Sequence, residues 1–217
     1  MSEIHVHPDV LKRSCFGRRT PRYKNFYVVL SALLAELPFG TVVHSAAAHG
    51  VETCALHDLS KARTVRAIEA DPKKFGSIAR FARRRPNMRA RRGVLGDSTR
   101  NVTARESGLD AATRMYTLDA LVSKKWQETI SLLVLGGNDT RAHHRVLEGA
   151  AETLAREAPA VAVHGTCAQA PRDVLAHTHE THEVYEAGNH VSCIFVPRST
   201  KLLKVVAEAI EALKTRA

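Results

Sequence analysis

The residues best suited to chemistry are two carboxylates and a turn of small side chains. Thr41-Val42-Val43 is a short β-branched strand, followed by His44-Ser45-Ala46-Ala47-Ala48-His49-Gly50. Small residues in such a turn let a ligand approach the backbone, and the helix that starts at Gly50 points free N–H groups at an anionic ligand group. Glu69 ends the next strand, 19 residues after Gly50. That is the usual distance to a carboxylate that accepts hydrogen bonds from a ribose diol. Asp97 sits in Gly93-Val94-Leu95-Gly96-Asp97-Ser98, after a third strand, where an acid can accept from an adenine amino group. His44, Ser45, Ala46, Gly50, Ala70, Gly96 and Ser98 complete the set of candidate ligand-binding positions.

A second group lies further on. Ile130 to Leu135 is an apolar run of strand length, as expected for a buried parallel strand. Gly136-Gly137-Asn138-Asp139 follows at its carboxyl end, where open α/β sheets bind ligands. Asp139, His143 and His144, with His164 at the end of the next strand (Ala160 to Val163), are candidate catalytic bases. For each taken singly, a polar helix start or a structural hydrogen bond is the rival reading. His44, His49 and His57 match no familiar metal-ligand spacing and read as polar loop residues, so no metal site is assigned.

The elements that must position these residues follow from periodicity. Asn25 to Glu36 repeats apolar residues at helical spacing and ends at Pro38-Phe39-Gly40. Gly50 to Leu59 is the first crossover helix. Asp71 caps the second, with Pro72 at its first position, and Lys73 to Arg85 continues it. Thr99 to Tyr116 reads as a loop with a short helix or edge strand, Leu118 to Trp126 as a short helix and Leu147 to Arg156 as another. Val184 to Tyr185 and Val191 to Val196 read as a hairpin, and Leu202 to Leu213 as a closing amphipathic helix. The order is that of a doubly wound, mostly parallel sheet in a three-layer α/β sandwich.

At 217 residues and 44% apolar content, the chain can bury a full core and is not of disordered composition. Residues 25–217 are expected to form one domain, preceded by an irregular basic arm over 1–24. No apolar run is long enough to span a membrane, and the start lacks a signal-peptide pattern, so a cytoplasmic location is expected. Cys15, Cys54, Cys167 and Cys193 are far apart and are expected to be reduced thiols. The net charge of +10 suggests an anionic partner, with a merely solvated surface as the rival reading. Arg80, Arg83, Arg84, Arg85, Arg89, Arg91 and Arg92 cluster at the end of the second crossover helix and in the turn expected after it. They are the best argument for nucleic-acid contact, although few aromatic residues accompany them. The arm suits closure over a substrate, nucleic-acid contact or a homodimer.

Several motifs together resemble class I AdoMet-dependent methyltransferases, most closely the FkbM family, over roughly residues 40–198. They are Ile68-Glu69-Ala70-Asp71-Pro72, Thr117-Leu118-Asp119-Ala120-Leu121, Val146-Leu147-Glu148-Gly149-Ala150 with Glu152-Thr153-Leu154, Pro159 to His164, and Tyr185 to Pro197. The resemblance implies a seven-stranded sheet, S-adenosyl-L-methionine as cofactor and methyl transfer to an oxygen or nitrogen nucleophile. The family's first loop reads acid-x-Gly-x-Asn-x-Gly, whereas here His44, Ala46, Ala48 and Gly50 stand. The acid that would hold the AdoMet ammonium is therefore replaced by a histidine, and Ala46 lacks glycine's freedom, so a reshaped loop is expected. Asp139 is a candidate substitute for the lost acid. These departures keep a second reading open: a catalytically inactive, methyltransferase-like binding or structural protein, contacting nucleic acid through its arginine-rich face. His177-Thr-His179-Glu-Thr-His182 resembles the first metal motif of the metallo-β-lactamase fold. The strand order around it is wrong for that fold, so it reads as a polar segment before the last hairpin.

Overall fold

The computed structural model describes residues 24–60, 62–107, 110–137, 139–164, 167, 169–186 and 191–215. The basic arm over 1–24, apart from Lys24, and Asn138 lie outside the described residues. Seven strands form the central sheet: β1 (Thr41–Ser45), β2 (Val65–Glu69), β3 (Met88–Arg92), β7 (Ile130–Leu135), β8 (Ala160–Val163), β9 (His179–Tyr185) and β10 (Val191–Pro197). Their order is β3-β2-β1-β7-β8-β10-β9, and only β10 runs antiparallel to its neighbours. The chain starts at β1 in the middle, winds out to β3, then returns to β7 and winds the other way. The carboxyl ends of β1 and β7 thus lie side by side at the reversal of strand order, the place where such sheets bind ligands.

Helices cover both faces, so the central strands β1, β7 and β8 are buried throughout. All six residues of β7 are buried. On one face α1 (Lys24–Glu36), α2 (Val51–Leu59) and α9 (Thr200–Lys214) enclose a core with Phe26, Leu30, Leu33, Leu56 and Val206. On the other, α5 (Leu118–Leu121), α6 (Thr140–Glu148), α7 (Ala151–Glu157) and α8 (Gln169–Leu175) pack around Leu118, Leu133, Leu147 and Phe195. α3 (Pro72–Arg83) packs through Ile78 against Ala67 and Met88. A small second sheet joins β4 (Val94–Leu95), β6 (Thr113–Tyr116) and β5 (Asn101–Val102), with the short α4 (Ala104–Ser107) between β5 and β6.

Polar clamps fix the joints. The Arg63 guanidinium donates to the carbonyls of Leu34, Leu37 and Pro38, at 3.0, 2.8 and 2.5 Å, and so closes the C-terminal end of α1. Glu186, after β9, accepts from Asn25 N and Phe26 N in the first turn of α1. Burial raises its pKa, and the two backbone hydrogen bonds oppose that rise. Asp119 accepts from Glu152 N and Thr153 N, tying α5 to the start of α7.

Several sequence expectations are corrected. The third strand of the main sheet is Met88–Arg92, not the Gly93–Ser98 stretch, whose Val94–Leu95 belongs to the small sheet. Arg89, Arg91 and Arg92 are therefore strand residues rather than turn residues. Charge at that edge suits it, because a charged edge strand resists pairing with another chain. The helix expected over 147–156 is two helices, broken at Gly149-Ala150. Gly149 leaves no room for a side chain, since an added Cβ would stand 1.9 Å from Gly96 O. Leu118 to Trp126 starts as α-helix but becomes a π-helical turn over Val122–Trp126, closed by Gln127 at φ 52°. His179 to His182 is not a connecting segment: it opens β9 and pairs with Ile194 to Pro197, while His179 Nε2 bonds to Pro159 O at 2.9 Å. Cys167 and Cys193 are not separate thiols. β10 lies beside β8, which brings their Cα atoms to 5.2 Å, and they are joined as a disulfide.

Candidate active site

The loop after β1 is built on left-handed backbone. Ala46, Ala48 and Gly50 have φ of 52°, 47° and 83°. Alanine takes left-handed backbone at two of these positions, at a cost of roughly 1–2 kcal/mol per residue. Glu69 holds the loop in place. Its Oε2 accepts from Ala48 N at 2.7 Å and its Oε1 from Asp71 N at 2.8 Å. Asp71 in turn caps α3 by accepting from Lys73 N and Lys74 N. Each Glu69 oxygen keeps a second lone pair for a ligand hydroxyl. Gly136 N donates to Ser45 O at 2.9 Å, joining the β7 end to the β1 loop.

Beneath this loop three groups converge that linear spacing did not connect. His44, fully buried at the end of β1, bonds through Nδ1 to Thr53 Oγ1 at 2.9 Å. Its Nε2 lies 3.9 Å from Glu52 Oε2, and His164 Nε2 lies 3.1 Å from the same oxygen. Burial pushes the His44 pKa down to about 4, against the pull of Glu52. Burial works to raise that of Glu52, but the His164 hydrogen bond and the two histidines outweigh it and hold it below the ordinary value. Glu52 and Thr53 lie in the first turn of α2, so only the strand–turn–helix geometry brings them under β1. The usable signal was that residues opening the first crossover helix face the end of the first strand.

The other candidates are placed as follows. Asp139 caps α6, accepting from Arg141 N and Ala142 N at 3.0 and 3.2 Å. His143 is buried, its Nε2 3.1 Å from Gly136 O. A carbonyl only accepts, so Nε2 carries the proton and Nδ1 the lone pair. Burial lowers the His143 pKa, and the bond to Gly136 opposes that. His144 is half-buried and pairs with Glu148 at 3.4 Å. Asp97 is exposed and accepts from Ser98 Oγ at 2.8 Å, next to Gly96, which is buried. The fold thus gathers His44, Ser45, Ala46, Gly136, His143 and His164 at one sheet edge, while Asp139 and His144 serve α6 itself.

The arginines divide by environment. Arg85 pairs with Asp58 at 3.7 Å, Arg91 stacks over Tyr116 at 5.3 Å, and Arg89 bonds to Pro86 O at 2.5 Å. Arg80 and Arg84 line a cleft of about 380 Å³ with His49, Val51, Ser77 and Phe81. Arg92 lines another with Asn101 and Arg114. Among the described residues, no helix is long and apolar enough to cross a membrane.

No family model matches the sequence, and no curated protein is similar to it. Solved structures do resemble the fold. A methyltransferase FkbM from Methylobacillus flagellatus aligns with a TM-score of 0.59 at 13% identity over 72% of this chain, which spans 43% of that protein. A fibrillarin from Aeropyrum pernix, solved with natively bound S-adenosyl-L-methionine, aligns at 0.54 and 14% identity over 87% of this chain and 86% of that one. A precorrin-6y C5,15-methyltransferase from Geobacter metallireducens aligns at 0.53 and 12% identity over 87% and 93%. With its seven-stranded sheet and single reversed strand β10, this chain has the Rossmann-like fold of the class I methyltransferases.

Proposed function

We propose that the chain is an AdoMet-dependent methyltransferase of FkbM-like type, transferring methyl to an oxygen nucleophile. The observation that carries this reading is the β1 loop, left-handed at Ala46, Ala48 and Gly50 and held by Glu69 at the end of β2. The sheet order and the likeness to methyltransferase structures support it. When bound, AdoMet supplies an electrophilic methyl group on a sulfonium. Glu69 takes the ribose diol, with Ala70 beside it, and Asp97, flanked by Gly96 and Ser98, takes the adenine amino group. The Ser45–Gly50 loop faces the amino-acid end. His44 fits that end poorly. Asp139, which caps α6 through Oδ1, is the candidate substitute for the acid missing from the end of β1. Catalysis consists of holding the acceptor in line with the methyl group. His143 takes the acceptor proton, its tautomer set by Gly136 O and its neutral form favoured by burial.

Calorimetric titration of the purified protein with AdoMet and with its demethylated product tests the reading. Binding of either, weakened about 10-fold or more by Glu69→Gln, is expected. A flat titration from folded protein refutes it.

The presence of His44 where an acid is needed favours a second reading, a methyltransferase-like protein that binds without catalysing. Its anionic partner would then contact Arg80, Arg84 and Arg92. RNA binding that falls steeply with added salt, in a protein that ignores AdoMet, is the result that would favour it.

A further inference from the structure

Three side chains at the centre of the sheet's carboxyl edge have a donor set that methyl transfer does not require. His44 is the penultimate residue of β1, His164 follows β8, and Glu52 reaches between them from the first turn of α2. Their nearest donor atoms all lie within 4.8 Å of one another. Two of the separations, 3.1 and 3.9 Å, bracket the roughly 3.4 Å expected between ligands about 2.1 Å from a tetrahedral ion.

We propose that His44, Glu52 and His164 bind a divalent transition-metal ion through two imidazole nitrogens and one carboxylate oxygen.

Four observations lead there. First, His44 Nε2 is completely buried and has no hydrogen-bond partner, which is costly unless something else occupies its lone pair. Second, Thr53 Oγ1 bonds to the opposite nitrogen. In the tautomer with the proton on Nδ1, the hydroxyl accepts and the Nε2 lone pair faces Glu52, the outer-shell arrangement of metal-bound histidines. Third, Gly136 keeps the space beside that nitrogen clear, since an added Cβ would stand 3.2 Å from Nε2. Fourth, Glu52 is about a quarter exposed while both histidines are buried, so the cluster is closed from below and reachable from one side.

Donor chemistry sets the class of ion. Two imidazoles and a carboxylate suit zinc, cobalt, iron(II) or nickel and discriminate against magnesium and calcium, which prefer oxygen-only shells. Three protein ligands also leave at least one coordination position for water or an exogenous group. The proposal does not depend on AdoMet binding.

Metal-stripped full-length protein, titrated with Zn²⁺ by calorimetry and with Co²⁺ by visible absorption, tests it. The expected result is one tight equivalent, with the Co²⁺ spectrum of a low-symmetry nitrogen–oxygen site. Glu52→Gln and His164→Ala should each weaken binding by about 100-fold or more. Thr53→Val, which touches no ion, should weaken it by about 10–100-fold, and the remote control His57→Ala should leave it unchanged. If His164→Ala unfolds by circular dichroism, Glu52→Gln and Thr53→Val decide alone. Failure of folded protein to bind either ion overturns the proposal, as does binding that Glu52→Gln and Thr53→Val leave intact, which would identify scattered surface histidines as the ligands. AdoMet titrated into the same metal-free sample reports separately on cofactor binding.

Discussion

Replacing Ala46 and Ala48 by glycine should stabilise the protein, the opposite of the usual sign for this change. In a helix interior, alanine to glycine costs about 1 kcal/mol. Here both residues have left-handed backbone, at φ 52° and 47°, which costs an L-side chain roughly 1–2 kcal/mol each. Glycine removes that strain but adds about 0.4–1 kcal/mol of unfolded-chain entropy per site. Little else is lost: Ala46 is exposed, and the Ala48 N–H that Glu69 accepts is retained in glycine. The net gain is on the order of 0.5–1 kcal/mol per site, and the double variant should melt about 2–6 °C higher. Thermal unfolding of Ala46→Gly, Ala48→Gly and the double variant is the assay, with Ala207→Gly, at an exposed position within α9, as the ordinary case that loses about 1 kcal/mol. If both loop variants lose stability as Ala207→Gly does, the backbone there is not left-handed and the account of the loop is wrong.

Three further outcomes follow from the same coordinates. Arg63→Met should lower stability by about 2–4 kcal/mol in urea titrations, because three carbonyls at the end of α1 lose their donor. Asp119→Ala should cost about 1–2 kcal/mol through the uncapped start of α7, with Asp119→Asn milder, read from the same titrations. Acidification should destabilise the metal-free protein below pH 6.5. Burial holds the pKa of His44 at about 4, and lowers those of His143 and His179, so the unfolded chain takes up protons that the folded one refuses. His44 alone accounts for about 2 kcal/mol between pH 6.5 and 5, and the loss levels off below about pH 4, where the folded form also protonates. A urea midpoint that does not move between pH 7 and 5 would contradict the burial of these rings.

The fold was largely legible because its signals are local and mutually consistent. The apolar run over Ile130–Leu135 is β7 to the residue, Glu69 ends β2, and Asp71-Pro72 caps and starts α3 as read. What the sequence concealed depends on contacts between distant segments. β3 is so rich in arginine that it reads as a turn, since only a sheet edge tolerates such a strand. Gly149 breaks a helix because Gly96 passes close by, which no periodicity reveals. The candidate site divides in the same way. The Glu69 position followed from spacing, but Glu52 did not, because its relation to His44 and His164 exists only once α2 has folded back under the sheet edge. The left-handed alanines were hidden for a different reason: propensity argues against them, and the Glu69 hydrogen bond overrides it.

The Glu186 contact with the start of α1 also bears on how the chain is made. The two partners are 160 residues apart, so the first helix leaves the ribosome with its leading N–H groups unmet. At about 5–20 residues per second, roughly 8–32 s pass before Glu186 is even synthesised. Over that interval the apolar face of α1, with Phe26, Leu30 and Leu33, also waits for α9, which is synthesised after Glu186. The nascent chain therefore carries an exposed greasy segment throughout that interval, and this is the stretch a ribosome-associated chaperone would be expected to shield.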